Sequence, residues 1–284
     1  LNNNATCVQA MDDGNHLSVT ARVAVIDPQG AYSTKAVNLT INGSNDAPTL
    51  TGVVGGAVKE SGVYADGVLK PSDHGYSLVG GENTPTSEAA NAAAVGDHHQ
   101  LTVTGVISGA DVDKYDTQLD FGFSLSGPGA SVAAGGKSAL ATDVYVIKDD
   151  TSQGYHLEAV PAGTPANAAM PADSYGRLTM NNAADKSGTY TFTLNNDANG
   201  PANALGENQS KGLVIAPTVT DGTAISTADS SHTFTITVNG ANDQPTITST
   251  TWAGESSVTE QGIVNPAASS VISGTVVGHD SDSN

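Results

Sequence analysis

Cysteine, cationic side chains and aromatic residues are all scarce in this sequence of 284 residues. Cys7 is the only cysteine, so no internal disulfide can form. Lys and Arg total 10 against 29 Asp and Glu, which gives a net charge of −19. Because phosphate binding requires clustered cations, this balance argues against nucleic acid or an anionic membrane surface as a partner. The excess of carboxylates is compatible with bound metal ions.

Long hydrophobic runs and common catalytic motifs are also missing. No apolar run approaches the roughly 18 residues that a membrane-spanning helix needs. The sequence contains no G-x-S-x-G, no H-E-x-x-H and no phosphate-binding P-loop. It therefore predicts neither membrane insertion of this segment nor enzymatic activity. It also lacks a starting methionine and a signal peptide, and we expect Leu1 to lie inside a longer chain.

Short segments in which apolar and polar residues alternate are the dominant pattern. This period of two is typical of β-strands with one face toward solvent, and turn signals such as "DPQG" and "TDGT" separate the segments. The pattern predicts an all-β fold, a Greek-key β-sandwich with little helix. The clearest segments contain Val19, Ala21 and Val23; Val37, Leu39 and Ile41; Phe121 and Phe123; Tyr190 and Phe192; and Phe234, Ile236 and Val238.

Internal repetition indicates tandem units. The pattern N-G-x-N-D-x-P occurs once from Asn42 to Pro48 and again from Asn239 to Pro245. "KESG" around Glu60 resembles "TEQG" around Glu260, and "DVD" at 111–113 resembles "DSD" at 280–282. We expect residues 1–48 to be the C-terminal part of one repeat, residues 49–245 to be a complete repeat with an insertion at about 70–99, and residues 246–284 to begin a third. Residues 1–48 are too few for a core of their own, so we expect them to pack on the complete repeat or to be completed by a neighbouring chain.

The repeated residues have the chemistry of a calcium site. Ca²⁺ accepts six to eight oxygen ligands in flexible geometry, which Asp, Asn and backbone carbonyls supply. Mg²⁺ favours a strict octahedron with bound water, and Zn²⁺ favours His or Cys. A single N-D or D-x-D is more simply explained as a turn with solvated carboxylates. Because these motifs recur together in matching order, the sequence predicts Ca²⁺ sites between domains.

The segment from Tyr175 to Ile247, "YGRLTMNNAADKSGTYTFTLNN…TFTITVNGANDQPTI", resembles the VCBS and cadherin-like repeats of giant bacterial surface adhesins. "VTEQG" at 258–262 and "GADVDKYD" at 109–116 resemble the opening strands of these repeats. Proteins of this kind are exported by type I secretion and carry repeats-in-toxin (RTX) regions. The resemblance implies cadherin-like, immunoglobulin-like sandwiches in tandem on the bacterial cell surface. Neighbouring repeats of the same chain would be its partners, and it allows host-cell, surface or glycan ligands bound through other domains.

The resemblance to the cadherin linker pattern also implies metal ligands at both ends of the complete repeat. Asn42 departs from that pattern, because cadherin linkers have an acid there. The ligands implied at the first junction are Asn45, Asp46, Asp111, Asp113 and Asp221. Those implied at the second junction are Glu60, Asn242, Asp243, Asp280 and Asp282.

The function that follows from this resemblance is mechanical. A calcium-stiffened extender segment would hold distal ligand-binding domains away from the cell for adhesion or biofilm formation. Two alternatives remain open. The insertion at 70–99 could form a carbohydrate- or peptide-binding site, or the chain could be a subunit of an extracellular filament that assembles by strand complementation.

Overall fold

The computed structural model of the protein has sixteen strands among the residues that it describes. The abundance of β-branched residues and the alternation of apolar and polar residues predict this high strand content. The described residues are 1–61, 101–125, 140–150, 153–197, 200–227, 231–243, 245–253, 273–280 and 282. Helix α1 (Thr6–Gln9) and a 3-10 turn (Pro201–Ala204) are both short. Neither has the length or the hydrophobicity of a membrane-crossing helix, and the described residues include no other candidate.

The strands are short and follow one another closely. The first eight are β1 (His16–Ile26), β2 (Tyr32–Asn42), β3 (Thr49–Val53), β4 (Gly56–Lys59), β5 (Thr102–Ala110), β6 (Asp120–Phe123), β7 (Asp143–Lys148) and β8 (Tyr155–Ala159). The remaining eight are β9 (Ser174–Asn182), β10 (Ser187–Leu194), β11 (Ser210–Ile215), β12 (Pro217–Thr220), β13 (Ile225–Thr227), β14 (Phe234–Asn239), β15 (Thr246–Ala253) and β16 (Ser273–His279).

The strands form a β-sandwich, which confirms the predicted fold class. The largest sheet has the order β3-β5-β10-β9-β7-β8, and two three-stranded sheets have the orders β11-β14-β4 and β13-β12-β6. The described pairings are antiparallel except for β4, which runs parallel to β14. Since β3 and β5 lie in one sheet and β4 lies in another, the chain passes from one sheet to the other between β3 and β4.

One hydrophobic core joins these sheets. The rings of Tyr190 on β10 and Phe234 on β14 stack with centroids 4.4 Å apart. The Tyr190 hydroxyl donates a hydrogen bond of 2.6 Å to the Val54 carbonyl, which satisfies the polar atom of a fully buried ring. Burial raises the pKa of Tyr190 to about 12, so this hydroxyl remains a donor at ordinary pH.

Strands β1 and β2 form a separate hairpin whose register matches that of β11 and β14. Val19 pairs with Leu39, as Leu213 pairs with Ile236. The pairing begins at His16 and Asn42 in the hairpin and at Ser210 and Asn239 in the β11–β14 pair. The two pairs of strands thus have the same local structure.

Strands β15 and β16 likewise repeat the pairing of β3 and β5. Thr246 pairs with His279 as Thr49 pairs with Ala110, and each pair has a register shift in the same place, after Ile247 and after Leu50. A β-bulge at the same point is a specific feature, because it changes the direction of the strand. These are matches of local pairing, and the division of the chain into repeats at 48 and 245 stays a prediction.

Two sequence expectations lie outside the described residues. The insertion at 70–99, with the ligand-binding alternative that depends on it, is one of them. The residues around Glu260 are the other.

Candidate metal centre

The residues predicted at the first junction lie together where several strands end. Asn45 and Asp46 occupy the connection between β2 and β3, and Asp111 and Asp113 follow the last residue of β5. Asp221 follows β12, in a tight turn before β13. Because antiparallel strand ends meet at one edge of a sandwich, residues far apart in the sequence come into contact here.

Hydrogen bonds fix the positions of these groups. The backbone N–H of Asp46 donates to Oδ2 of Asp113 at 2.7 Å, and the N–H of Asp113 donates to Oδ1 of Asp111 at 2.9 Å. The Asn45 amide donates to Oδ2 of Asp221 at 3.1 Å. Oδ1 of Asp221 accepts from the N–H groups of Thr223 and Ala224 at 2.5 and 2.7 Å. Each of the three carboxylates therefore has one oxygen held by the backbone.

Two further carboxylates complete the arrangement. Asp12 lies in the turn between α1 and β1, and Asp116 lies three residues beyond Asp113. Carboxylate oxygens of Asp12, Asp113 and Asp116 lie within 4.8 Å of one another, and so do those of Asp111, Asp116 and Asp221. We call these five residues, together with Asn45 and Asp46, the first cluster.

Three buried oxygens of the first cluster have no hydrogen-bond partner. They are Oδ2 of Asp111, Oδ1 of Asp113 and Oδ2 of Asp116. Asp113 is the most enclosed of these residues, with 2% of its surface exposed. Buried polar atoms in folded proteins nearly always have a partner, and an ionised carboxylate oxygen without one is costly. These oxygens are the feature that separates the cluster from an ordinary acidic turn.

Electrostatic repulsion between the carboxylates of the first cluster also makes their charged forms less stable. Burial raises the pKa of Asp111 and that of Asp116 above the ordinary carboxyl value, and neighbouring carboxylates add to both shifts. The backbone N–H of Asp113 and the charge of Lys186 act against the shift of Asp111. The Lys186 ammonium itself donates to the backbone carbonyl of Asp111 at 3.2 Å. The cluster thus concentrates negative charge that protons or cations would relieve.

The first cluster has the geometry to hold a metal ion. Two oxygens bound to one Ca²⁺ at about 2.3–2.6 Å can lie at most about 5 Å apart, which the spacing of 4.8 Å satisfies. Asp116 belongs to both groups of three, so it lies between two potential ion positions. The set consists of oxygen donors alone, which favours a hard cation over zinc.

The residues predicted at the second junction show the same backbone pattern. We call Glu60, Asn242, Asp243, Asp280 and Asp282 the second cluster. The N–H of Asp243 donates to Oδ2 of Asp282 at 3.2 Å, and the N–H of Asp282 donates to Oδ1 of Asp280 at 3.1 Å. The Asn242 amide donates to the Asp243 carbonyl at 2.9 Å, as the Asn45 amide does to the Asp46 carbonyl at 3.0 Å.

Two residues of the second cluster are almost fully buried. Glu60 is 1% exposed, and its Oε1 accepts from the N–H of Ala241 at 2.7 Å. Asp243 is also 1% exposed, and its Oδ2 accepts from the Asn203 amide at 2.7 Å. Glu60 therefore lies beside the second N-G-x-N-D-x-P segment, with which the resemblance to cadherin repeats associated it. Among the described residues, the second cluster does not form a group of three carboxylates as close as those of the first.

Sequence reasoning missed Asp12 and Asp116. Asp116 belongs to the "DVDKYD" segment, where only the D-x-D spacing was used as a signal. Asp12 lies in "MDDGN", which resembles an ordinary acidic turn. The Asp46 carboxylate, which was predicted as a ligand, is in neither group of three, whereas its backbone N–H orders Asp113.

No protein-family model matches this chain, and no curated protein matches it either. The resemblance to cadherin-like adhesin repeats therefore stays a prediction that depends on the motifs themselves.

Proposed function

We propose that this chain is a calcium-stiffened extender segment of a bacterial cell-surface adhesin. Its role is mechanical: it holds distal ligand-binding domains away from the cell and performs no catalysis. The observation that carries the proposal is the buried, unpartnered Oδ1 of Asp113 among the carboxylates of the first cluster. The motif resemblance supplies the adhesin context, which includes export to the cell surface.

The position of the first cluster suits a stiffening role. Asp12 precedes the β1–β2 hairpin, Asp46 follows it, and Asp113 belongs to the sandwich. The N–H of Lys114 also donates to the Ala10 carbonyl at 3.3 Å. A cation bound by Asp12, Asp113 and Asp116 would add a further link between the hairpin segment and the sandwich, beyond the hydrogen bond from Lys114 and the covalent connection through residues 43–48.

The contribution of one bound ion to the free energy of unfolding is small in absolute terms, but it is a large fraction of the total stability of a domain. Extracellular calcium modules bind with Kd of about 10⁻⁴–10⁻³ M. At calcium 10–100 times Kd, one site adds about 1.4–2.7 kcal/mol to the free energy of unfolding. The total stability of a domain is about 5–15 kcal/mol, so loss of the ion would remove a sizeable fraction.

Differential scanning calorimetry with calcium and with a chelator tests the proposal. Saturating Ca²⁺ should raise Tm by about 3–10 °C relative to the chelated protein. Asp113→Asn should abolish most of this rise, because it removes the charge and keeps an oxygen that can accept from the Asp46 N–H. The matched control is Asp13→Asn, an exposed acid that neighbours Asp12 but lies outside the cluster.

An unchanged melting curve with excess chelator would contradict the proposal. So would an Asp113→Asn variant that responds to calcium as fully as the wild type does. Titration calorimetry with Ca²⁺ and then with Mg²⁺ would identify the ion, since the flexible set of carboxylates should bind the larger cation more tightly.

A further inference from the structure

Lys186 is a half-buried cation at the edge of the first cluster. It lies in the connection between β9 and β10, and its ammonium donates to the Asp111 carbonyl at 3.2 Å. The charge of Lys186 acts against the raised pKa of the Asp111 carboxyl group, since a nearby positive charge favours the ionised form. A positive charge of the chain itself thus lies beside the ligands proposed for calcium.

The Lys186 side chain contacts the backbone of Asp111 and leaves its carboxylate open. Oδ1 of Asp111 accepts from the N–H of Asp113 at 2.9 Å, whereas Oδ2 is buried without a hydrogen-bond partner. A lysine bound directly to Oδ2 would occupy the position that a metal ion needs. Lys186 instead supplies a counter-charge while this ligand oxygen stays available to an ion.

Backbone hydrogen bonds connect the two segments independently of the Lys186 side chain. The N–H of Gly109 donates to the Lys186 carbonyl at 3.0 Å, and the N–H of Leu119 donates to the Asp185 carbonyl at 3.1 Å. Oδ1 of Asp185 in turn accepts from the N–H and the hydroxyl of Ser187 at 2.8 and 2.7 Å. These bonds lie on both sides of the segment that carries the ligands. A change of the lysine side chain should therefore alter the local charge more than the positions of the ligands.

We propose that the Lys186 ammonium opposes the bound calcium ion: it stabilises the calcium-free first cluster and raises the calcium concentration at which the cluster fills. This inference rests on the proposed function, because it concerns the regulation of the same site. Asp111 contributes to the ion position that it shares with Asp116 and Asp221, so binding at that position should be affected most. The coupling is reciprocal, since a charge that weakens calcium binding must stabilise the calcium-free protein more than the bound one.

The charge of Lys186 offsets only part of the repulsion in the cluster. One ammonium stands against five carboxylates, those of Asp12, Asp111, Asp113, Asp116 and Asp221. An ion bound to the Asp111 carboxylate would lie within about 10 Å of the ammonium. Charges of +1 and +2 at this distance should change the calcium affinity about three- to tenfold in dilute salt.

Titration calorimetry with Ca²⁺ tests the inference directly. In about 10 mM salt, Lys186→Met should bind calcium with a Kd about three- to tenfold lower than that of the wild type. In chelator the same variant should have a lower Tm than the wild type, because the cluster has lost its counter-charge. Saturating calcium should reduce this difference in Tm. A lysine with a merely structural role would lower Tm equally in both conditions and would not strengthen binding.

Three further variants separate the charge from the contact. Lys186→Arg keeps the charge and the donors, so its Kd should match that of the wild type. Lys186→Gln removes the charge but keeps an amide donor, so it should resemble Lys186→Met and replaces that variant if it unfolds. Lys35→Met removes the same charge from an exposed position on β2, roughly 20 Å along the strand from Asn42, and should bind calcium as the wild type does.

Salt dependence identifies the effect as electrostatic. In 1 M sodium chloride the screening length falls to about 3 Å, so the Kd values of the wild type and Lys186→Met should converge. A change in the positions of the ligands would instead persist at high salt.

Three outcomes overturn the inference. They are a Lys186→Met variant that binds calcium no more tightly than the wild type in dilute salt, a difference in Kd that persists in 1 M sodium chloride, and a Lys186→Arg variant that behaves like Lys186→Met. In each of these cases the wild type still binds calcium, so the proposed function stands. A wild type that binds no calcium contradicts the proposed function itself, and this inference with it.

Discussion

Asp113 is the residue on which the metal proposal depends most. Its Oδ2 accepts a hydrogen bond from the N–H of Asp46, whereas its Oδ1 is buried without a hydrogen-bond partner. Leaving a buried acceptor unsatisfied costs about 1–3 kcal/mol, and more for a charged group. A bound cation would convert this cost into a favourable interaction, which explains why such an arrangement can be retained in a stable sandwich.

The pKa of Asp116 predicts how the stability of the protein depends on pH in the absence of calcium. The pKa of Asp116 is raised, first by burial and then by Asp12, Asp111, Asp221 and Asp113. A carboxyl pKa above the unfolded value means that the folded state binds the proton more tightly. This contribution to stability is therefore present at low pH and is lost as the pH rises from about 3.8 through the raised pKa. In chelator, Asp116→Asn should melt at a higher temperature than the wild type at neutral pH, and this difference should shrink on acidification.

Calcium should reverse the order of the melting temperatures of the wild type and the Asp116→Asn variant. With the ion bound, the wild type gains ligands that the Asp116→Asn variant lacks, so the variant should melt at the lower temperature. Asp13→Asn is the control again and should follow the wild type in both series. If Asp116→Asn lowers Tm in chelator at neutral pH, repulsion within the first cluster is not the dominant effect there.

Residues of the site that belong to a recurring motif could be predicted from the sequence, whereas residues outside such motifs could not. The recurrence of N-G-x-N-D-x-P and D-x-D identified Asn45, Asp46, Asp111 and Asp113, and the structure brings them together. Asp12 could not be predicted, because its only local signal is an acidic turn and its approach to Asp113 is a tertiary contact. Spacing also cannot show that the backbone N–H of Asp46 orders the cluster while its carboxylate lies outside both groups of three.

At the scale of elements, the turn before each N-D pair is specified by glycine. The N–H of Gly240 donates to the Gln209 carbonyl at 3.0 Å, as the N–H of Gly43 donates to the Asn15 carbonyl at 2.8 Å. A Cβ at Gly240 would collide with the Leu205 carbonyl oxygen. The close approach of two backbones at this point leaves no room for a side chain.

Gly240→Ala should therefore destabilise the sandwich. Overpacking against backbone costs about 1–3 kcal/mol, which corresponds to a decrease in Tm of about 2–10 °C. Gly212→Ala on β11 is the matched control, because its Cβ would meet only the Thr235 methyl at an ordinary 3.5 Å. Thermal melts of both variants, recorded in chelator so that no ion contributes, make the comparison. Equal Tm values would show that the turn adjusts at little cost.

Strand existence was predictable, whereas strand order was not. The alternation at Phe234, Ile236 and Val238 corresponds to β14, with those residues buried as predicted. Its parallel pairing of Ile236 with Gly56 depends on contacts between segments far apart in the sequence, which a local pattern does not encode. The central position of β10 between β5 and β9 has the same origin.

At the scale of the whole molecule, the first cluster draws its ligands from well-separated parts of the chain. Asp12 comes from the turn before the β1–β2 hairpin, Asp113 and Asp116 come from the segment after β5, and Asp221 comes from the turn after β12. Without a cation these carboxylates repel one another, and this repulsion opposes the hydrogen bonds that Asn45 and Asp46 donate to the sandwich. An ion bound by Asp12, Asp113 and Asp116 would hold the hairpin segment against the sandwich.

Small-angle X-ray scattering can detect this change in stiffness. Calcium should reduce the radius of gyration and the high-angle signal of flexibility, while chelator should increase both. The measurements belong at low protein concentration, so that contacts between copies do not contribute. Sodium chloride at matched ionic strength is the necessary control, because screening alone also weakens repulsion between carboxylates. Asp113→Asn should scatter like the chelated wild type with or without calcium, and Asp13→Asn should respond normally. If sodium chloride reproduces the effect of calcium, charge screening alone explains the compaction, and the proposal that bound calcium stiffens the chain is wrong.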